Sequence, residues 1–360
     1  MPPQSLTAAD VEQAFADFRD PESGRSAVEM GQISGIRVDG GRASLTLGLT
    51  TFAAPLWEDC RAECAALVRK KLPALTEVTV DLAVHDRPAE RIGEIGLAAK
   101  AVIAVGSGKG GVGKSTIASA LAYGLNKAGA KVGLMDADVY GPSIPHLIGV
   151  NRRPDIVEQK IQPIEVDGMK VMSMGFVVPA GEAVVWRGPM LHGAISQFLR
   201  DTAWGDLDYL VIDMPPGTGD IALTLSQLLP LTGAVIVCTP QDVALLDAVK
   251  AIAMFRKVNI PILGMVENMS YFLCPDNGKR YDIFGSGGAK KKATDLDIPF
   301  LGEVPINIQI RVRGDEGRIA GNFSDETTAP YLKALYYNLV KNIATARREQ
   351  PPLPTLTVLG

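Results

Sequence analysis

The stretch Gly108-Lys-Gly-Gly-Val-Gly-Lys-Ser115 constrains this chain more than any other. It fits G-x-x-x-x-G-K-[ST] and stands between the apolar run Ala101–Val105 and the helix-forming run Lys114–Ala128. Glycines in that setting let successive backbone N–H groups converge on phosphate oxygens, at the start of a helix whose dipole favours anions. The predicted cradle is Gly108, Gly110, Gly111, Val112, Gly113, Lys114, Ser115 and Thr116. Lys114 is placed to reach the β- and γ-phosphates, and the Ser115 hydroxyl to ligate Mg²⁺. The expected cofactors are therefore ATP and Mg²⁺.

The surrounding pattern agrees with that loop. Apolar runs at Lys131–Met135, Leu207–Ile212, Ala234–Cys238 and Ile260–Val266 alternate with helical stretches such as Val243–Lys257. Continuous apolar strands alternating with helices predict an α/β fold, a parallel-sheet P-loop NTPase with both faces of the sheet covered. Asp136 and Asp138 follow one strand and Asp213 ends another, where carboxylates border the phosphate crevice. Asp213 is expected to hold Mg²⁺ through water. Asp136 and Asp138 have a second reading, as helix cap or turn former.

The first 85 residues read as a small α+β domain. Thr7-Ala-Ala-Asp10 caps an amphipathic helix, Ile33–Val38 and Ala43–Leu49 flank a Gly-rich hairpin turn, Trp57–Lys71 is helical and Glu77–Val84 is a third strand. Residues 86–98 read as a linker, 99–345 as the NTPase domain and 346–360 as a Pro-rich tail. Asn151–Asp201 is the least regular part.

Composition removes several alternatives. Lys plus Arg total 36 against 40 Asp plus Glu, for a net charge of -4, and only 6% of residues are aromatic. Neither a basic footprint nor a base-stacking platform is present, so no nucleic-acid partner is expected. The longest apolar stretches are of strand length, whereas a spanning helix needs about 20 apolar residues. No membrane association is expected, and the N-terminus lacks a secretory pattern. Four cysteines in 360 residues make no disulfide framework and suit a reducing cytoplasm.

Lys109, a second lysine inside the loop, makes GKGGVGKST resemble the deviant Walker A motif shared by the nitrogenase iron protein, the MinD and ParA ATPases and the arsenite pump ATPase. That resemblance implies a MinD-like or nitrogenase-iron-protein-like fold and a homodimer in which Lys109 contacts nucleotide phosphate across the interface. It also makes Lys109, Lys114 and Asp138 the catalytic set, with Asp138 orienting the attacking water. Asp136 would support the Mg²⁺ shell, and Asn268 would lie near the adenine. A turn asparagine bonding its own backbone is the other reading of Asn268.

Four motifs in order, Asp136-Ala-Asp-Val-Tyr-Gly-Pro-Ser143, Trp186-Arg-Gly-Pro-Met190, Asp213-Met-Pro-Pro-Gly-Thr-Gly-Asp220 and Glu267-Asn-Met-Ser270, resemble the Mrp/ApbC iron–sulfur carrier ATPases. Asp20-Pro-Glu22, Glu29-Met-Gly31 and Leu49-Thr-Thr51 ahead of Pro55 resemble the small domain found in Fe–S assembly factors. The resemblance implies slow ATP hydrolysis coupled to holding an iron–sulfur cluster, a 4Fe–4S cluster at the dimer interface, and passing it to apo-proteins. Two other functions stay open: an assembly scaffold or regulator that holds no cluster, and a ParA/MinD-like positioning ATPase.

One departure from the family pattern matters. Its C-x-x-C is here Cys274-Pro-Asp-Asn277, so a dimer supplies two thiolates where clusters are usually held by four. Cys274 is the expected cluster ligand, with an incidental turn cysteine as the other reading. Non-cysteine ligands, a small thiol or the receiving partner could complete the set. Cys60 and Cys64 could approach the site, but an apolar stripe on the small domain's helix is the plainer reading. Cys238 lies in an apolar strand, and His85, His146 and His192 show no metal spacing.

Overall fold

The computed structural model describes residues 6–139, 141–177, 188–217 and 219–349. Its contacts divide the chain into two compact units, one formed by the chain up to Arg87 together with the chain from Val340 on, the other by Pro88–Leu339.

In the first unit, helix α1 (Ala8–Ala14) opens with a capping box: Asp10 N donates to Thr7 Oγ1 at 3.3 Å, and Thr7 N to Asp10 Oδ2 at 2.8 Å. Strands β1 (Ile33–Asp39) and β2 (Arg42–Leu49) form the hairpin, with Gly40 and Gly41 both at positive φ, as a tight two-residue turn demands. Helix α2 (Trp57–Lys71) covers the sheet that β3 (Glu77–Val84) completes in parallel with β2. Cys60 and Cys64 are buried on one face of α2, as the apolar-stripe reading expects, but the third buried member is Val68 and not Leu67, which is half-buried. Burial pushes the Cys60 thiol up to about 12 and raises that of Cys64 as well. Asp20 of the Asp-Pro-Glu motif is fully buried and accepts from Ser23, Gln32 and Arg87.

The second unit carries a sheet of ten strands among the described residues. Strands β4 (Arg91–Ile92) and β5 (Leu97–Gly106) come first, so the sheet begins inside the stretch expected to be a linker. Helix α3 (Lys114–Lys127), β6 (Val132–Asp136) and α4 (Ile144–Ile148) follow. The irregular region contains β7 (Ile156–Val157), β8 (Lys160–Ile161), β9 (Ile164–Val166), β10 (Met169–Ser173) and α5 (Gly188–Asp201). Next are β11 (Leu207–Asp213), α6 (Gly219–Leu228), β12 (Gly233–Cys238) and α7 (Asp242–Lys257). Strand β13 (Ile262–Leu273), β14 (Arg280–Tyr281), α8 (Gly288–Asp295), β15 (Phe300–Ile306) and α9 (Ile308–Asp315) come next, and then α10 (Ala329–Glu349), whose residues from Val340 on count with the first unit.

The path β14-β13-β12-β5-β11-β6-β10-β9 has parallel pairing from β13 through β10, with antiparallel strands at the two edges. Strand β5 lies between β12 and β11, so the loop after it opens at the carboxyl ends of central strands, where crevices form. Every residue of β6, β11 and β12 is buried, as expected for strands covered on both faces.

Two sequence readings change. The last apolar strand extends to Leu273, placing Asn268 inside β13 rather than in a turn. Helix α10 continues to Glu349, past residue 346, and in the first unit Arg347 Nη1 donates to Glu22 O at 2.7 Å. The remaining tail, 350–360, lies outside the described residues.

Candidate functional site

The cradle loop follows β5 directly. A Cβ on Gly108 would lie 2.2 Å from the Asp247 carbonyl on α7, so only glycine lets the loop pass that helix. Gly113 sits at φ +80, just before α3, and a Cβ there would lie 2.2 Å from Asn268 Nδ2. The loop, α3 and the Asp138 turn enclose an open cleft of about 550 Å³, lined by Lys109, Gly110, Lys114, Asp138, His146 and Pro216 among others.

Lys114 turns back across this cleft. Its Nζ lies 2.6 Å from Asp213 Oδ1 and 3.7 Å from Asp138 Oδ2, and donates to Ser115 Oγ at 3.3 Å. Burial raises Asp213's pKa above the usual carboxylate range, against the lowering pull of the Lys114 ammonium and a Ser115 hydrogen bond. Asp213 Oδ2 is buried with no hydrogen-bond partner. An orphaned buried carboxylate oxygen beside a loop hydroxyl is the donor set a hard cation takes.

Asp136 is fully buried and its oxygens are in use. Oδ1 accepts from Asp138 N at 3.0 Å, and Oδ2 from Ile144 N at 3.2 Å and Ser173 Oγ at 3.0 Å. Asp136 thus shapes the Asp138 turn and caps α4. Burial, then the Asp213 charge, push its pKa up. Asp138 Oδ1 accepts from Gly141 N at 3.3 Å, while its other oxygen faces Lys114. The Asp213–Gly217 turn is tied to the cradle's base, since Met214 N donates to Val105 O and Gly217 N to Ser107 O. Ser107 Oγ in turn donates to Lys109 O at 2.9 Å. Tyr140, Trp186, Arg187 and Thr218 of the quoted motifs lie outside the described residues.

Asn268 Nδ2 donates to Val112 O at 2.9 Å, so its side chain serves the cradle and not its own backbone. Six residues on, Cys274 opens a tight turn in which Gly278 N donates to Cys274 O at 2.8 Å and Cys274 N to Lys279 O at 3.0 Å. Asn277 Oδ1 accepts from Lys279 N at 2.9 Å, a turn-forming role in the place of the family's second cysteine. Cys274 is partly exposed, while Cys60, Cys64 and Cys238 are buried. Arg280 holds this hairpin: it stacks on Tyr271 at 3.8 Å and pairs with Asp282 at 2.8 Å and Glu303 at 3.5 Å. Among the described residues, no group of three or more His, Cys, Asp or Glu is arranged to hold a metal ion.

Two contributors went unpredicted. Ser173 donates to Asp136 from β10, in the region that read as irregular. Glu267, fully buried, accepts from Ser270 Oγ, Gly287 N and Ala289 N, tying β13 to the start of α8. Glu267 opens the Glu267-Asn-Met-Ser270 motif, but the motif did not reveal this structural task.

Residues 98–344 match the family model of the NUBPL iron-transfer P-loop NTPase, and residues 8–82 that of an iron–sulfur cluster assembly protein. An iron–sulfur cluster carrier protein of Deinococcus radiodurans is 45% identical over 349 residues, covering 96% of this chain and 98% of its own. The iron–sulfur cluster transfer protein NUBPL of Dictyostelium discoideum is 47% identical over 255 residues, 70% of this chain and 79% of its own. A nucleotide-binding protein of Archaeoglobus fulgidus solved with ADP and cobalt is 43% identical, with TM-score 0.55, covering 62% of this chain and 88% of that one. The cell-division ATPase MinD of Pyrococcus furiosus, 23% identical with TM-score 0.50 over 68% of this chain and 99% of its own, shares the fold.

Proposed function

The chain belongs to the NUBPL iron-transfer P-loop NTPases, and on that premise we propose that it hydrolyses Mg·ATP in the Gly108–Thr116 cradle and carries an iron–sulfur cluster on Cys274 as cargo for apo-proteins. The observation that carries the nucleotide half is the buried Lys114–Asp213 pair beside the orphaned Asp213 oxygen.

Nucleotide phosphates compete with Asp213 for Lys114, whose ammonium then stabilises the transferring phosphoryl group. Ser115 and Asp213 would hold Mg²⁺, which neutralises charge on the β- and γ-phosphates when bound. Asp136, with its oxygens committed to Asp138 N, Ile144 N and Ser173, supports that shell by positioning. Asp138 orients a water whose oxygen attacks the γ-phosphorus as the bond to ADP breaks. Lys109 lines the cleft and is assigned to a partner's nucleotide in a homodimer. Asn268 is assigned to the nucleotide site and the whole assembly to the cytoplasm.

For the cargo, three of four thiols are buried, which leaves one accessible thiol per chain. Two copies of Cys274 supply two, and a four-iron cluster takes its other ligands from outside the chain. Asn277, already committed to its turn, favours a second reading in which the chain is an assembly scaffold that holds no cluster.

Anaerobic loading with iron and sulfide separates the two readings. The carrier reading predicts stoichiometric cluster in wild type with a small thiol present, loss of it in Cys274→Ala, and retention without added thiol in Asn277→Cys. Failure of wild type and Asn277→Cys to hold cluster, with ATP hydrolysis intact, establishes the scaffold.

A further inference from the structure

We propose that Asn268 is a positioning residue for the phosphate cradle, holding the Val112–Gly113 peptide so that the Gly113 N–H faces bound phosphate. This rests on the reading of Gly108–Thr116 as the nucleotide site and assigns Asn268 a task blind to the base.

The described chain has no cis peptide, so the Val112 carbonyl and the Gly113 N–H point in opposite directions. Asn268 Nδ2 donates to the carbonyl at 2.9 Å; Gly113 lines the cleft, whereas neither Val112 nor Asn268 is among its lining residues. Contact with Asn268 is tight: the space a Gly113 Cβ would need is filled by the same amide, 2.2 Å away. Asn268 is itself 7% exposed, so little water competes for the bond.

The strand is built to hold that amide in place. Pairing of β13 with β12 ends at Glu267. Its pairing with β15 slips immediately after Asn268, where Asn268–Phe272 is set against Val304–Ile306, a bulge. Within the slip Met269 stands at φ +53, a left-handed conformation unfavourable for a long side chain. Bonds on both sides keep it there. Asn268 is fixed to Val112, and Ser270 Oγ donates to Glu267 Oε1 at 2.5 Å and to Glu303 Oε2 at 3.2 Å. Strain over-determined by its surroundings marks a site where position is being enforced.

The test uses the full-length chain with Asn268→Asp, equal in shape but unable to donate, and Asn268→Ala. Dissociation constants are measured with Mg²⁺ for ATP, GTP and inorganic tripolyphosphate, beside a melting curve confirming that each variant folds. Loss of one buried hydrogen bond predicts about tenfold weaker binding, in the same ratio for all three ligands. Weaker ATP with unchanged tripolyphosphate overturns the proposal in favour of base reading, and unchanged binding throughout overturns any role. If wild type binds none of the three, the nucleotide-site reading fails, a result distinct from either.

Discussion

The ammonium of Lys114 lies 2.6 Å from Asp213 Oδ1 and 3.7 Å from Asp138 Oδ2, so one buried cation is shared between two carboxylates at the cradle's edge. Breaking a buried pair from one side leaves a charge uncompensated, at a cost of about 3–5 kcal/mol. Lys114→Ala is therefore expected to lower stability by about 3 kcal/mol and to abolish ATP hydrolysis. Adding Asp213→Asn should restore most of the stability and none of the activity, as urea unfolding without nucleotide would read.

The raised acids give stability a pH dependence of definite sign. A native carboxyl raised above its unfolded value keeps its proton where the unfolded chain has lost it, so stability falls as pH rises through that window. For Asp136 the window runs from the ordinary 3.8 to about 8. Unfolding free energy without nucleotide should fall between pH 5 and 8, and Asp136→Asn should flatten the slope although less stable throughout. A stability that climbs over this range in wild type contradicts the assignment.

Two glycines in the loop separate strain from collision. Gly111 at φ +78 has open space where a Cβ would stand, whereas Gly113 at φ +80 would meet the Asn268 amide. Gly111→Ala should cost about 1–2 kcal/mol, the left-handed penalty alone. Gly113→Ala should cost more and remove ADP binding, with calorimetric titration as the check.

Arg280 restrains the Cys274 hairpin through Tyr271, Asp282 and Glu303. Arg280→Ala should raise the rate of Cys274 alkylation several-fold while leaving ATP hydrolysis unchanged. An unaltered rate would mean that the turn's backbone bonds suffice.

The cradle was legible because its chemistry is local: Gly108 to Thr116 are contiguous, and the flanking runs declare strand and helix. Asp213 was legible as the acid ending an apolar strand. Less was readable where a residue's task depends on distant chain. Asn268 bonds Val112, and Ser173 bonds Asp136, through strand neighbours that periodicity does not reveal. Residues 86–98 read as linker because Pro, Gly and charge mask the short β4–β5 pairing at Arg91–Ile92. Asn268 had two readings, near the adenine by resemblance and as a turn former because Asn is frequent in turns; here Asn268 and Ser270 flank a bulge inside β13.

Cluster transfer tests the carrier function most directly. Protein loaded anaerobically with iron and sulfide is mixed with an apo four-iron enzyme and Mg·ATP, and recovered enzyme activity is followed over time. Wild type is expected to activate the acceptor, Cys274→Ala is not, and Lys114→Ala is expected to load but to transfer without response to ATP. Equal activation by wild type and Cys274→Ala, or none by loaded wild type, would contradict the carrier function.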